Sequence, residues 1–139
     1  MVAIDKERIV EAIRQAESRT SGQIRVSVSP PFWGNVRKAA EKAFVRMNMH
    51  ATQERNGVLL FVVPLRRKFV VLGDAGIHDK VGPEFWHHVV RIVSERFRAS
   101  DFTEGLIGGI AAIGEQLSTH FPKDAAGKNE LPDDVDEGV

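Results

Sequence analysis

The run Gly57-Val58-Leu59-Leu60-Phe61-Val62-Val63 constrains the fold more than any other part of this chain. It is continuously apolar and rich in β-branched residues, with Asn56-Gly57 at one end and Pro64 at the other. A run of that kind reads as a central strand covered on both faces. Only Pro64-Leu65-Arg66-Arg67 separates it from a second apolar run, Lys68-Phe69-Val70-Val71-Leu72. So short a connection permits an antiparallel hairpin and nothing else. A sheet buried on both faces needs helices on both sides, which places the chain in the α/β class.

The remaining sequence supplies those helices. Asp5 is positioned to cap a helix carrying Ile9, Ile13 and Ala16, and Thr20-Ser21-Gly22 ends it. Gln23-Ile24-Arg25-Val26-Ser27-Val28-Ser29 alternates strictly and predicts a strand with one buried face. Pro30-Pro31 stops that strand, Gly34-Asn35 marks a turn, and Val36, Ala40, Phe44 and Met47 carry a second helix. Gly73-Asp74-Ala75-Gly76 reads as a loop. Pro83 then opens a helix with Phe85, Trp86, Val89, Val90, Val93 and Phe97 on its apolar side. Asp101 and Glu104 have capping-box spacing before a last helix bearing Leu106, Ile110, Ile113 and Leu117. Gly105 and Gly109, one turn apart, predict close packing of that helix on the sheet.

The expected architecture is a small mixed β-sheet sandwiched between helices, in the order α-β-α-β-β-α-α. The first two strands, joined through a helix, are parallel and the third is antiparallel to the second. Residues 1–122 form this domain. From Lys123 to Val139 the chain has two Lys against four Asp and two Glu, a net of −4, and it lacks aromatics. That composition predicts a disordered acidic tail. With the whole chain neutral, the body is left at +4, short of the basic footprint of a nucleic-acid binder.

Several chemistries are excluded outright. With no cysteine there is no disulfide framework, thiolate zinc site or cysteine nucleophile. No apolar run approaches the roughly 20 residues that span a bilayer, and Met1–Glu7 has no apolar signal core, so a soluble, cytoplasmic protein is expected. Gly73-x-x-Gly76 lacks the Lys-Ser/Thr of a P-loop. His87 and His88 are adjacent, about 100° apart on a helix, and cannot share a metal. No serine lies in a Gly-x-Ser-x-Gly setting. Arg66-Arg67-Lys68 reads as a solvated hairpin tip or a contact for a phosphate or an anionic surface. Pro31-Phe32-Trp33 reads as a plug over the sheet edge or an exposed partner site.

The topology itself nominates a site. Antiparallel pairing sets the start of the second strand at Asn56-Gly57 beside the end of the third at Leu72-Gly73. The first strand starts at the same edge. The loops at Glu17–Gly22, Thr52–Asn56 and Gly73–Lys80 should therefore meet. They bring together Glu17, Glu54, Asp74 and Asp79, with Arg19, Arg55 and His78 among them. Such oxygen donors suit a hard cation such as Ca²⁺. The competing reading has Asp74 capping a turn and the others in solvated ion pairs.

Three stretches, Arg55-Asn56-Gly57-Val58-Leu59-Leu60-Phe61-Val62-Val63-Pro64, Gly73-Asp74-Ala75-Gly76-Ile77 and Phe102-Thr103-Glu104-Gly105-Leu106, resemble the TPM domain. That family is named after a thylakoid lumen protein, a photosystem II repair protein and a nematode receptor modulator. The run from Glu17 to Val26 is similar too, and the resemblance covers about residues 5–121, as a divergent bacterial-type member. It implies a mixed sheet with helices on both faces. By the same resemblance, acid phosphatase activity, calcium at the loops above and a protein partner in a membrane complex are properties to test. The chain departs from the family at one telling place. Arg55 stands where the family commonly has Asp before Asn-Gly, while Asp74 enters the glycine loop. Arg55 is expected to pair with Asp74 and to do the metal's structural work. The resulting reading is a non-catalytic interaction or assembly module with no cofactor. The alternatives are a calcium-binding domain using Glu54, Asp74 and Asp79, and a metal-assisted acid phosphatase.

Overall fold

The computed structural model describes residues 4–123 and 135–136. Helix α1 (Lys6–Glu17) leads into β1 (Gln23–Val28), and α2 (Val36–Arg46) into β2 (Gly57–Val63). A single 3₁₀ turn, Pro64–Arg66, returns the chain as β3 (Lys68–Gly73). The short α3 (Ala75–His78), α4 (Pro83–Arg98) and α5 (Phe102–His120) follow, and β4 (Val135–Asp136) comes last. The sheet order is β3-β2-β1-β4, with β1 and β2 parallel and β2 and β3 antiparallel. The mixed sheet between helices is therefore the fold that the apolar pattern implies.

Alternation along β2 divides the core in two. Val58, Leu60 and Val62 face α1, α4 and α5 together with Ile24 and Val26 of β1. Leu59, Phe61 and Val63 pack with Ala40, Ala43 and Phe44 of α2 and with Met49 just beyond it. Burying each such aliphatic side chain stabilises the fold by about 1.5–3 kcal/mol.

Five expectations need correction. β1, flanked by β2 and β4, is buried along nearly its whole length and has no wet side. Arg25, on the face expected to be wet, is buried and bound to Glu17. β3, expected to be fully buried, is an edge strand and only partly covered. Gly105 and Gly109 meet α4 more closely than the sheet: an added Cβ would lie 3.0 Å from Arg96 Cβ at one position and 2.7 Å from Val93 Cγ2 at the other, with Leu60 Cδ1 of β2 farther off at 3.9 Å from the second. The small residues let the two helices approach. The capping box does not form. Asp101 makes no side-chain cap, and Glu104 is drawn instead to Arg8 at 2.5 Å. Asp5, by contrast, caps α1 by accepting from the Arg8 N–H at 3.2 Å.

The disordered tail expected over 123–139 falls mostly outside the described residues. Its described part beyond Lys123 is strand. Val135 pairs in parallel with Val26, Asp136 pairs with Ser27, and Val135 is 5% exposed within the larger core. Among the described residues no helix is long and apolar enough to cross a membrane.

Candidate functional site

The three loops expected to meet do meet, and backbone hydrogen bonds hold them. The Gln23 N–H donates to the Asn56 carbonyl at 3.3 Å and the Asp74 N–H to the Gly57 carbonyl at 2.9 Å. The Gly76 N–H donates to the Arg55 carbonyl at 2.9 Å. That last bond demands very close approach, since a Cβ at Gly76 would stand 2.0 Å from the Glu54 carbonyl oxygen. Arg55 itself adopts a left-handed conformation, φ 52°, to turn the chain into β2.

Asp74 lies at the centre of this junction with 3% exposure. It is the N-cap of α3, a helix that Gly73-Asp74-Ala75-Gly76 conceals as an apparent loop, and its Oδ1 accepts from the Ala75 N–H at 2.8 Å. Arg55 closes on it as a fork: Nε donates to Oδ2 at 2.6 Å and Nη2 to Oδ1 at 2.9 Å. This bidentate geometry is the strong form of a charged hydrogen bond. His50 completes the group, its Nδ1 standing 3.0 Å from both Asp74 Oδ1 and Arg55 Nη2. With a proton on Nδ1 it donates to Asp74, and without one it accepts from Arg55. Its ring rests edge-on against Phe44, 4.8 Å between centroids.

Burial pushes the Asp74 carboxyl up. The Arg55 guanidinium, the Ala75 N–H and His50 outweigh that and hold it below its usual range. Asp74 in turn raises the Arg55 guanidinium, first through the hydrogen bonds and then through its charge.

The other nominated residues go elsewhere. Glu54 is exposed and accepts from Ser21 Oγ at 2.9 Å. Asp79 is exposed at the C-terminal end of α3. Glu17 is buried and turned toward β1, where its Oε2 accepts from the Ile24 N–H at 2.7 Å and from Arg25 at 2.8 Å. His78 leaves the junction to lie against Trp86, 5.2 Å between centroids. Glu54, Asp74 and Asp79 thus share one edge without converging. Among the described residues no three His, Asp or Glu side chains form a metal-holding group.

Asn56 brings a further buried oxygen to the junction. Its Nδ2 donates to Ser21 Oγ at 3.2 Å, and its buried Oδ1 has no hydrogen-bond partner. A single amide oxygen beside one exposed carboxylate falls well short of the six to eight oxygens that calcium takes. The residues present do not fit a calcium ion at Asp74, because a guanidinium already fills its coordination side.

His50 was not legible as a site residue. It sits in the irregular α2–β2 connection, and only the path of that connection brings it to Asp74.

No curated protein matches the chain in sequence. Among solved structures it is similar to the BA42 protein from the psychrophilic bacterium Bizionia argentinensis, at 35% identity and a TM-score of 0.91. That match covers 96% of this chain and 92% of that one. The N-terminal domain of the cg2496 protein from Corynebacterium glutamicum gives 13% identity and a TM-score of 0.64, covering 91% of this chain and 76% of that one. The N-terminal domain of a P. gingivalis protein gives 18% identity and a TM-score of 0.64, covering 80% and 72%. At those lower identities the likeness concerns the fold alone. The TPM domain matches residues 3–116, and with that extent the chain belongs to the TPM domain family.

Proposed function

We propose that this chain is a non-catalytic TPM module that serves interaction or assembly. The observation supporting this reading is the state of Asp74. It is the buried carboxylate at the loop junction, and its two oxygens receive three fixed donors, two from Arg55 and one from the Ala75 N–H, with His50 Nδ1 3.0 Å from Oδ1 as a fourth when that nitrogen holds the proton. A general base or nucleophile needs a lone pair directed at substrate, and a metal ligand needs one directed at the ion. Asp74 directs its lone pairs at the protein. Its depressed pKa makes it a weaker base still. The junction is built to hold three loops in one geometry.

The test is hydrolysis of an aryl phosphate by repurified protein, with and without divalent ions. The expected result is no turnover above background. Turnover that survives repurification and disappears in Asp74→Asn would establish the metal-assisted phosphatase in its place.

A further inference from the structure

At the end of the sheet opposite the Arg55–Asp74 junction, the β1–α2 loop and the β2–β3 hairpin form one tip. Arg66 joins them: its Nη1 lies 3.0 Å from both the Phe32 and Gly34 carbonyls, and its guanidinium carbon sits 5.4 Å from the centre of the Phe32 ring. Phe32 plugs the core beneath α2, as one reading of Pro31-Phe32-Trp33 has it. Trp33, the next residue, is the reverse. Its relative exposure is 101%, and Leu65 on the adjoining hairpin is 63% exposed. The backbone on either side of Trp33 is clamped, so the loop itself loses little freedom on docking.

The surroundings are cationic. The stretches 30–40 and 64–73 contain Arg37, Lys38, Arg66, Arg67 and Lys68 and no Asp or Glu. The first carboxylate along α2 is Glu41, 3.8 Å from Arg37. Across the sheet Asp101 and Glu104 face Arg96 and Arg8.

Three of these cations are placed against the interest of folding. A helix N-terminus favours anions, yet the first turn of α2 contains no acid and holds Arg37 and Lys38. Arg67 occupies a left-handed conformation, φ 51°, which glycine or asparagine adopts with less strain. Local choices that oppose stability in this way concentrate at functional surfaces.

We infer that this tip docks on an anionic lipid surface, with Trp33 and Leu65 entering the headgroup region and the exposed cations Arg37, Lys38, Arg67 and Lys68 meeting lipid phosphates. An acidic protein partner would meet the same charge but fits the shape poorly. A stable protein interface covers about 800 Å² per partner around a buried centre. One Trp buries about 150–250 Å² at most, and here it stands on a protruding turn. A bilayer needs no matching pocket, and Trp flanked by Arg and Lys is the residue set that its interface accepts.

Flotation of the full chain with vesicles of phosphatidylcholine alone, and of phosphatidylcholine mixed with phosphatidylglycerol, tests this. Binding is expected to the mixed vesicles only, with a blue shift of tryptophan emission and loss at high salt. Trp33→Ser should abolish the shift. The double variant Arg67→Ala/Lys68→Ala should weaken binding roughly ten- to thirty-fold, the effect of two cations at a charged surface. All three residues are exposed, and unchanged thermal unfolding shows that the variants are intact. No binding to the mixed vesicles, equal binding to both, or binding that the variants leave unaltered overturns the proposal. So does capture by a polyglutamate peptide without vesicle binding, which assigns the tip to an acidic protein.

Discussion

Replacing Gly76 with alanine probes the loop junction through its tightest contact. The added Cβ would lie 2.0 Å from the Glu54 carbonyl oxygen and 2.7 Å from that of Arg55. Real Cβ atoms essentially never come under 3.0 Å, so the two backbones must separate by at least about 1 Å. Both neighbours are main chain, and no side chain can swing aside to relieve the clash. The shift breaks the Gly76–Arg55 hydrogen bond, worth about 0.5–1.5 kcal/mol. Overpacking adds about 1–3 kcal/mol. The expected loss is therefore ~2–4 kcal/mol, or roughly 6–20 °C in melting temperature for a domain of this size. Chemical denaturation followed by circular dichroism measures it. Gly82→Ala is the control: nothing lies within 4 Å of its added Cβ, and losing glycine at the N-cap of α4 should cost no more than about 1 kcal/mol. A Gly76→Ala protein as stable as the control would mean that these loops are not in contact, and the account of the junction would fail.

Truncation after Lys123 removes Val135 from the core and should cost about 1.5–3 kcal/mol. An unchanged midpoint would mean that β4 does not form in solution. Phe61→Ala, at the interface of β2 with α2, should cost about 3–5 kcal/mol by the same assay; a loss under ~1 kcal/mol would remove Phe61 from the central strand. Asp74 has a depressed carboxyl pKa, so its contribution is fully present above the unfolded value of roughly 4 and is lost as pH falls through the lower folded value. The stability gap between the parent protein and Asp74→Asn should therefore shrink on acidification below that range. A gap independent of pH would show that the ion pair does not form.

The apolar run from Gly57 to Val63 made β2 legible because continuous hydrophobicity reports burial directly. The shortness of Pro64–Arg67 then imposed the hairpin, and its register carried Asp74 to Arg55. Val58 pairs with Gly73, so the residues flanking that pair on the outside are neighbours. What stayed hidden depends on contacts that no local pattern encodes. β3 has the apolar composition of β2, but its exposure follows from standing last in the sheet. Arg25 alternates as an outward residue should, yet Glu17 reaches it around the Ser18–Gly22 turn and makes its burial tolerable. Val135 is a single apolar residue in an acidic stretch, and pairing with Val26 alone makes it core. His50 has no periodic neighbours at all. In each case the missing information is long-range pairing.

Calorimetric titration of calcium into the parent protein and into Arg55→Asp tests the central claim most directly. In the parent, the Arg55 fork fills both Asp74 oxygens and places a positive charge where a cation would bind. Like charges at that range repel. The parent should bind calcium at millimolar strength or not at all, in the range of about 10⁻³ M found for poor oxygen sites. Arg55→Asp replaces the guanidinium with a second carboxylate beside Asp74 and should bind measurably more tightly. Tight binding by the parent, or no gain in the variant, would contradict the claim that Arg55 holds the place of a metal.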